Sequence, residues 1–222
     1  MAIIRCSSLA SPYPQETIYS WLSRRGLLSG CSSDRQFLKQ AMSYSGQQLS
    51  SMFPIFIRFL VENSNISAEK SLIQHSVLPY FRMFTYASVY ENVFESLKQS
   101  TPIDAYARLS LLANRIPESK YFYYCPLCLE EGLNLFGVGY WHVEHQLPWV
   151  GLCYKHQAIL CFVVRKRKRL RCPPQCLSYQ SQDMTCRSMN NLELSQNSEV
   201  LWKSNLQALS LERVNQCYLK AL

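Results

Sequence analysis

Apolar side chains recur at helical spacing through about the first hundred residues of the chain. The pattern predicts one helix over residues 16–28 and a second over 34–42, with Ser33 or Asp34 as a cap. A third segment runs from Gly46 towards Phe53, where Pro54 interrupts it or starts the next helix. Three short helices joined by small connections are compatible with a helix-turn-helix, and equally with an ordinary bundle.

Two further amphipathic stretches follow the i, i+3, i+4, i+7 rule and predict buried helix faces. Their members are Tyr86, Val89, Tyr90, Val93, Phe94 and Leu97, and then Tyr106, Leu109, Leu112 and Ala113. Aromatic side chains at helical spacing are more often packed than exposed, so we interpret these as core residues and not as base-stacking groups.

Beyond Pro117 the pattern changes to aromatic and β-branched residues that predict strands, one of them over residues 140–143. The polar stretch 178–198 predicts a linker, and two short amphipathic helices are expected after it, over 198–209 and from Ser210 onwards. The chain stops inside that last pattern, which indicates a longer parent protein or a trimmed C-terminus.

The predicted fold is therefore mainly α with a small α+β zinc-finger module. An N-terminal helical domain with a helix-turn-helix-like start is expected over residues 1–118, and a zinc-finger region over 119–195. The C-terminal short helices are expected over 196–222.

Four residues in the middle of the chain have the spacing of a zinc site. Cys125 and Cys128 form a C-x-x-C pair, and Cys153 and His156 form a C-x-x-H pair after 24 intervening residues. Three thiolates and one imidazole fill a tetrahedron and leave no open position, which is typical of a structural Zn²⁺ site. The hypothesis of a zinc hydrolase, with Glu130, Glu131 or Glu144 activating water, is disfavoured because that chemistry needs an open position.

The chain has 222 residues and a formal net charge of +8, which favours an anionic partner, with nucleic acid as the first candidate. Six cations lie within seven residues: Arg165, Lys166, Arg167, Lys168, Arg169 and Arg171. We predict that this basic run contacts DNA phosphates, with Arg24 and Arg25 as weaker candidates. A solvated hairpin or linker remains the alternative for such a run.

Other features of the sequence indicate the cellular compartment and limit the enzymatic activities that the chain could have. The N-terminus has neither a basic nor an apolar signal region, so neither secretion nor membrane insertion is indicated. The ten cysteines mix a zinc pattern with scattered single residues, as in a reducing cytoplasm. No motif for a phosphate-binding loop, a nucleophilic serine or a catalytic metal is present, so we predict that the chain is not an enzyme.

Several segments resemble the TniQ/TnsD family of transposon target-site selection proteins. The resemblance rests on Pro12–Leu22, Tyr124–Glu131, Tyr140–Pro148 and Cys153–His156, in the family's order. It implies N-terminal helices before a Cys₃His finger whose ligands are Cys125, Cys128, Cys153 and His156. It also implies a protein that marks an insertion site and recruits an AAA+ regulator, TnsC. Some members bind duplex DNA directly, and others are adaptors on a CRISPR guide-RNA complex.

The chain departs from the family pattern at a second zinc site. The nearest equivalent pair, Cys172 and Cys176, is one residue too wide, and Cys186 and Cys161 would have to complete the set. A degenerate second finger without metal is our default interpretation. Outside the family, a zinc-stapled DNA-binding transcriptional regulator unrelated to transposition would also need only the basic run and the helices. Whether the protein forms a homodimer is left open.

Overall fold

The computed structural model describes residues 11–42, 50, 52–53, 56–62, 64–101, 103–114, 116, 119–165, 173 and 185–186. Its helices are α1 (Ile18–Leu28), α2 (Asp34–Met42), α3 (Ile57–Val61), α4 (Ala68–His75), α5 (Leu78–Phe81), α6 (Ala87–Lys98), α7 (Ala105–Arg108) and α8 (Pro126–Phe136). Its strands are β1 (Tyr121–Tyr124), β2 (Cys161–Val164) and β3 (Thr185–Cys186), and 3₁₀ turns lie at Arg82–Phe84 and Glu144–Gln146. The prediction of a mainly helical chain with a small α+β module is confirmed.

The first helices begin where side-chain oxygens cap exposed backbone amides. The hydroxyl of Thr17 accepts a hydrogen bond from the Ser20 amide at 3.0 Å and starts α1, two residues after the predicted position. Ser33 accepts from the Gln36 amide at 3.3 Å and caps α2, whose predicted bounds are confirmed. Such caps satisfy amides that the first turn of a helix leaves without a partner.

The two later amphipathic stretches behave differently from each other. In α6 the side chains of Tyr90, Val93, Phe94 and Leu97 are buried as predicted, but Tyr86 precedes the helix and is 84% exposed. The helix predicted over residues 106–113 is wrong because α7 ends at Arg108.

The backbone explains why α7 stops early. Ser110 has a φ of 55°, in the left-handed region that an α-helix cannot continue through. The turn changes the direction of the chain, so Leu111 is buried and Leu112, predicted to be in the core, is 59% exposed.

The segment between the cysteine pairs also differs from the prediction. Helix α8 was not expected there, and it begins with Pro126, whose fixed φ and missing N–H suit a first helical position. It ends at Gly137, which has a φ of 72° and donates its amide to the Leu133 carbonyl. Residues 140–143 do not form the predicted strand, and only His142 makes an isolated bridge, to Glu16.

The three strands form a small antiparallel sheet in the order β1-β2-β3. Tyr121 pairs with Val164 and Tyr124 pairs with Cys161, so alternate side chains of β1 and β2 share a face. The inner face is buried and consists of Phe122, Tyr124, Cys161 and Val163. The outer face carries Tyr121, Tyr123, Phe162 and Val164, which are all partly exposed.

One hydrophobic core joins the helices to the sheet. The Phe122 ring lies between those of Tyr19, at 4.6 Å, and Trp141, at 5.0 Å. The Thr17 amide donates to the Trp141 carbonyl at 2.8 Å, and the Ser20 hydroxyl accepts from the Trp141 amide at 3.1 Å. Helix α1 is therefore bonded to the segment between the cysteine pairs, and the domain boundary at residue 118 stays a prediction.

Some predicted elements lie outside the described residues. These are most of the third helical segment, where Met52 and Phe53 form a bend, and both helices after residue 196. Within the described ranges, no helix combines the length and apolar character needed to cross a bilayer.

Candidate metal centre

The four predicted ligands come together, and the start of α8 positions the first two. Cys125 follows β1 and forms the N-cap of α8, and Cys128 lies in the first turn of that helix. The Cys125 carbonyl accepts from the Leu129 amide at 3.0 Å, which fixes the local turn between them. Both thiols are buried at the N-terminus of α8, where backbone amides without a partner in the helix favour negative charge.

A tight turn presents the second pair of ligands. The Cys153 amide donates to the Ala158 carbonyl, and the Gln157 amide donates to the Cys153 carbonyl, both at 2.8 Å. Gln157 has a φ of 53°, which lets the chain reverse directly after His156. The turn therefore carries Cys153 and His156 on the same side of the loop.

The distances between the donor atoms match a tetrahedral site. The His156 Nδ1 atom lies 3.5, 3.3 and 3.6 Å from the sulfur atoms of Cys125, Cys128 and Cys153. The sulfur atoms of Cys128 and Cys153 are 3.6 Å apart, and all four donor atoms lie within 4.8 Å of one another. A tetrahedron with Zn–S near 2.3 Å and Zn–N near 2.0 Å has edges of roughly 3.5–3.8 Å. The four donor atoms can therefore hold a metal ion.

A carboxylate orients the ring of the histidine ligand. The Nε2 atom of His156 lies 3.2 Å from one Glu131 oxygen, and Lys155 Nζ lies 2.5 Å from the other. If Nε2 carries the proton and donates to Glu131, the Nδ1 lone pair points towards the three sulfur atoms. Carboxylates in this position typically fix the tautomer of a metal-binding histidine and raise its basicity.

Hydrogen bonds among the three thiols shift their pKa values in opposite directions. Bonds from Cys128 and Cys153 lower the pKa of Cys125 to about 3, because they stabilise its thiolate. The pKa of Cys128 is raised, because its proton is held between the Cys125 and Cys153 sulfur atoms. A divalent cation at the centre would replace these shared protons and stabilise all three thiolates.

Two further histidines lie behind the sulfur atoms. His145 is buried, and its Nε2 atom is 4.0 Å from the Cys128 sulfur. The His142 ring stacks on Tyr140 at 4.5 Å, with its centroid 5.0 Å from that of His145. Burial lowers the pKa of both histidines, that of His142 to about 4. Both histidines are therefore mainly neutral at pH 7, and His145 packs against the ligand cluster.

The family model for TniQ matches residues 9–160, which include α1, α8 and all four cluster residues. The chain belongs to the TniQ family. It is also 25% identical over 157 residues to the transposon Tn7 transposition protein TnsD of Escherichia coli. That match covers 68% of this chain and 30% of TnsD, so the TniQ-family chain spans about a third of the length of this relative.

Sequence reasoning did not place two residues of this TniQ-family chain, Glu131 and His145, beside the metal ligands. Glu131 lies three residues after Cys128, so a helix from Pro126 places it one turn above the metal ligand. That signal could be used only once α8 was recognised. His145 has no comparable sequence signal, because a 3₁₀ turn brings it to the cluster.

The predicted DNA contacts are only partly within the described residues. Arg165 directly follows β2 and is half-buried, and its amide donates to the Lys120 carbonyl at 2.8 Å. The rest of the basic run, Lys166, Arg167, Lys168, Arg169 and Arg171, lies outside the described residues. Its contact with DNA stays a prediction.

The proposed phosphate contact at Arg24 is wrong. Its side chain is 3% exposed and pairs with Glu16, with Nη2 and Oε2 2.8 Å apart. Its guanidinium also lies 4.1 Å above the Tyr13 ring. A cation enclosed in this way is not available to a phosphate. Arg25 is half-buried and donates to the Leu60 carbonyl at 3.1 Å, and burial lowers its pKa.

The degenerate second finger, with a second metal site as its alternative, also stays a prediction. Cys161 and Cys186 are paired across β2 and β3, which brings their backbones together. Cys172 and Cys176 lie outside the described residues.

Proposed function

We propose that this TniQ-family chain selects target sites for transposition. In this role it marks the DNA insertion site and recruits a TnsC-like AAA+ ATPase. The observation that carries the proposal is the family match over residues 9–160, which includes both the first helix and the whole ligand cluster. The name of the relative TnsD, a transposition protein, supports the same role.

The metal in this proposal is Zn²⁺, and it maintains the fold. Three thiolates and an imidazole at tetrahedral spacing suit zinc, and they leave no position for a water or a substrate. The cluster adjoins the buried Trp141 segment that is bonded to α1. Zinc would therefore stabilise the packing of the Trp141 segment against α1, and the chain would act by binding and not by catalysis.

The basic run supplies the electrostatic part of DNA binding in this proposal. Each neutralised phosphate releases counterions, so six contacts would give a log–log salt slope of about −5 on duplex DNA. Replacing Arg167, Lys168 and Arg169 with Gln should flatten the slope by about three. A matched variant with Lys39, Lys70 and Arg108 changed to Gln loses the same charge from exposed helix positions. Equal slopes in the two triple variants would assign the effect to net charge alone.

The proposal has two forms: the chain reads the DNA sequence directly, or it receives its target from another component. To distinguish them, zinc-loaded protein is used to select bound fragments from a random duplex pool, and the selected fragments are then titrated with salt. An enriched motif that survives physiological salt supports direct reading of DNA. Weak binding without a motif favours an adaptor that receives its target from a CRISPR guide-RNA complex.

Recruitment is tested separately with a purified TnsC-like AAA+ ATPase. We expect the ATPase to be retained by immobilised zinc-loaded protein in the presence of ATP. The alternative of a transcriptional regulator unrelated to transposition predicts an enriched duplex motif and no retention. A reducing cytoplasm is the compartment that this role and the three thiol ligands require.

A further inference from the structure

His145 brings a buried ring nitrogen to the sulfur atoms of the cluster without being one of the four ligands. Its Nε2 atom lies 4.0 Å from the Cys128 sulfur, which lies 3.6 Å from the Cys153 sulfur. Burial lowers the pKa of His145, and a hydrogen bond with Cys153 opposes that shift. The residue is only 2% exposed, and a polar ring in such a place is costly unless it forms hydrogen bonds.

The 3₁₀ turn that carries His145 is fixed to β1 on one side and packed against a second ring on the other. The Gln146 amide donates to the Val143 carbonyl at 2.9 Å and closes the turn. The Gln146 side chain donates to the Tyr123 carbonyl at 2.7 Å and accepts from the Tyr123 amide at 3.2 Å. The His142 ring lies 5.0 Å from that of His145, centroid to centroid. The turn and its neighbours therefore hold the His145 ring against the cluster.

The surroundings of the two ring nitrogens indicate which of them carries the proton. Among the described residues, the buried Nδ1 atom of His145 has no hydrogen-bond partner. Metal-bound sulfur atoms are thiolates, which accept hydrogen bonds and cannot donate them. A proton on Nδ1 would leave a buried donor without a partner and turn the Nε2 lone pair towards these thiolates. A proton on Nε2 satisfies the donor and leaves only an acceptor unpaired, which is the less costly arrangement.

The charge of a zinc-bound cluster explains what this donor contributes. Three thiolates carry one more negative charge than Zn²⁺ neutralises, and the three cysteines are buried. Buried charge is costly unless hydrogen bonds stabilise it, and bonds to a charged acceptor are about twice as strong as neutral ones. The start of α8 supplies backbone amides near Cys125 and Cys128. His145 adds a side-chain donor at the edge between Cys128 and Cys153.

We propose that His145 is a positioning residue of the metal centre, whose Nε2–H group donates a shared hydrogen bond to the Cys128 and Cys153 thiolates and so helps to retain Zn²⁺. The inference rests on the zinc site of the proposed function and is independent of target selection. The bond stabilises the thiolates relative to the protonated thiols, which compete with metal binding. It also fixes the direction of the sulfur lone pairs, as outer hydrogen-bond partners of metal ligands do.

The first test compares the Zn²⁺ affinity of two variants with that of the wild type. His145→Phe keeps an aromatic ring but has no N–H group, and His145→Gln has an amide that can donate from nearly the same position. Affinity is measured on the full chain by competition with a chromophoric chelator. We expect His145→Phe to bind Zn²⁺ about 10- to 100-fold more weakly, and His145→Gln to recover most of that loss.

The second test uses Co²⁺ in place of Zn²⁺, because its absorption spectrum reports on the sulfur atoms directly. The energy of the thiolate-to-Co²⁺ charge-transfer band depends on the electron density at sulfur, which a hydrogen bond reduces. The band should therefore move to lower energy in His145→Phe and return towards the wild-type position in His145→Gln. A role in packing alone would weaken binding in His145→Phe without this pattern.

The matched control is His142→Phe, which replaces the adjacent histidine ring, stacked on Tyr140 at 4.5 Å. It should keep the wild-type Zn²⁺ affinity and charge-transfer band. Thermal melting of the metal-saturated proteins shows whether each variant folds. If His145→Phe does not fold, His145→Gln decides alone. A wild-type band in that variant supports the bond, and a band at lower energy overturns it.

Three further results would overturn the proposal. Wild-type affinity and band position in folded His145→Phe would show that the N–H group does not act on the thiolates. Equal losses in His145→Phe and His145→Gln would assign the effect to packing of the ring. Equal losses in His142→Phe would do the same. If the wild-type chain bound no Zn²⁺, the metal of the proposed function would fail together with this inference, whereas the results on the variants leave that metal in place.

Discussion

The Nε2 atom of His156 and the Oε1 atom of Glu131 lie 3.2 Å apart, so α8 orients a ligand that comes from a different loop. The same carboxylate lies against Lys155, which is more than half exposed. Lys155 and His156 together lower the pKa of Glu131, Lys155 having the larger effect. Glu131 is therefore ionised at neutral pH.

Replacing Glu131 with Ala should weaken metal binding about 10- to 100-fold, because His156 loses the group that orients its ring. The measurement is competition with a chromophoric chelator at fixed pH. Glu130→Ala is the matched control, since Glu130 is exposed on the same helix. Equal affinities in the two variants would show that Glu131 does not contribute through His156.

Removing the metal should unfold the region from Tyr121 to Leu160. Zinc binding to small finger peptides contributes about 10–16 kcal/mol, comparable with the whole stability of a domain. Hydrogen exchange with and without a chelator should show loss of protection in β1 and α8. A Cys153→Ser protein with full metal content and normal melting would contradict this prediction. Cys31→Ser, which changes a cysteine outside the cluster, should retain both properties.

Replacing Glu16 with Ala should destabilise the protein by about 3–5 kcal/mol, because the Arg24 charge would remain buried without its partner. Glu16 is fully buried, and it also accepts a hydrogen bond from the Tyr13 amide at 2.8 Å. Chemical denaturation provides the measurement. The double variant Glu16→Ala with Arg24→Met should recover much of the loss, since no charge is then buried.

The exposed pair of Glu95 and Lys98 provides a control for the buried pair. Glu95→Ala should cost less than about 1 kcal/mol, because solvent screens an exposed ion pair. A similar small cost for Glu16→Ala would contradict the enclosed position of Arg24.

Stability should fall between pH 6.5 and pH 4 because of His75. Its Nδ1–H group donates to the Glu16 carbonyl at 2.8 Å, and burial is the main cause that lowers its pKa to about 4. An unfolded histidine titrates near 6.5, so in this window the unfolded chain binds more protons. The contribution is complete above pH 6.5 and is lost as the pH falls through 4, about 3 kcal/mol in all.

The variant His75→Asn tests this contribution, because its amide can donate to Glu16 but does not titrate. Urea denaturation of both proteins, each saturated with metal, should give a flatter pH profile for the variant. The other titrating groups, including the cluster, are common to both proteins. Parallel pH profiles would exclude His75 as the source.

The metal ligands and the first two helices could be predicted because their signals are local. Ligand spacing is read directly from the sequence, and apolar residues at helical spacing mark both α1 and α2. In α1 the burial goes beyond one face, since all of residues 18–24 are buried. The burial of Arg24, in contrast, depends on a contact outside its own helix. Its partner, Glu16, lies eight residues earlier and outside the helix, so nothing in the period marked the arginine as buried.

Helix α8 was missed for a different physical reason. Gly132 lies in its interior, where glycine ordinarily lowers helix propensity. A Cβ atom at Gly132 would lie 3.3 Å from a ring carbon of Tyr140, so the glycine allows close packing of the returning chain. The low helix propensity of Gly132 is therefore offset by a tertiary contact, and the local sequence pattern does not show that contact.

The bond between Ser20 and Trp141 also sets an order of events during synthesis. The two residues are separated by 121 positions, so at about 5–20 residues per second Trp141 is added roughly 6–24 s after Ser20. Until then Ile18 and Trp21 lack part of the surface that buries them in the finished protein. His156 is made later still, so metal capture follows the arrival of the segment that closes over α1. A nascent chain that stops before residue 141 therefore leaves the apolar face of its first helix open to chaperones and proteases.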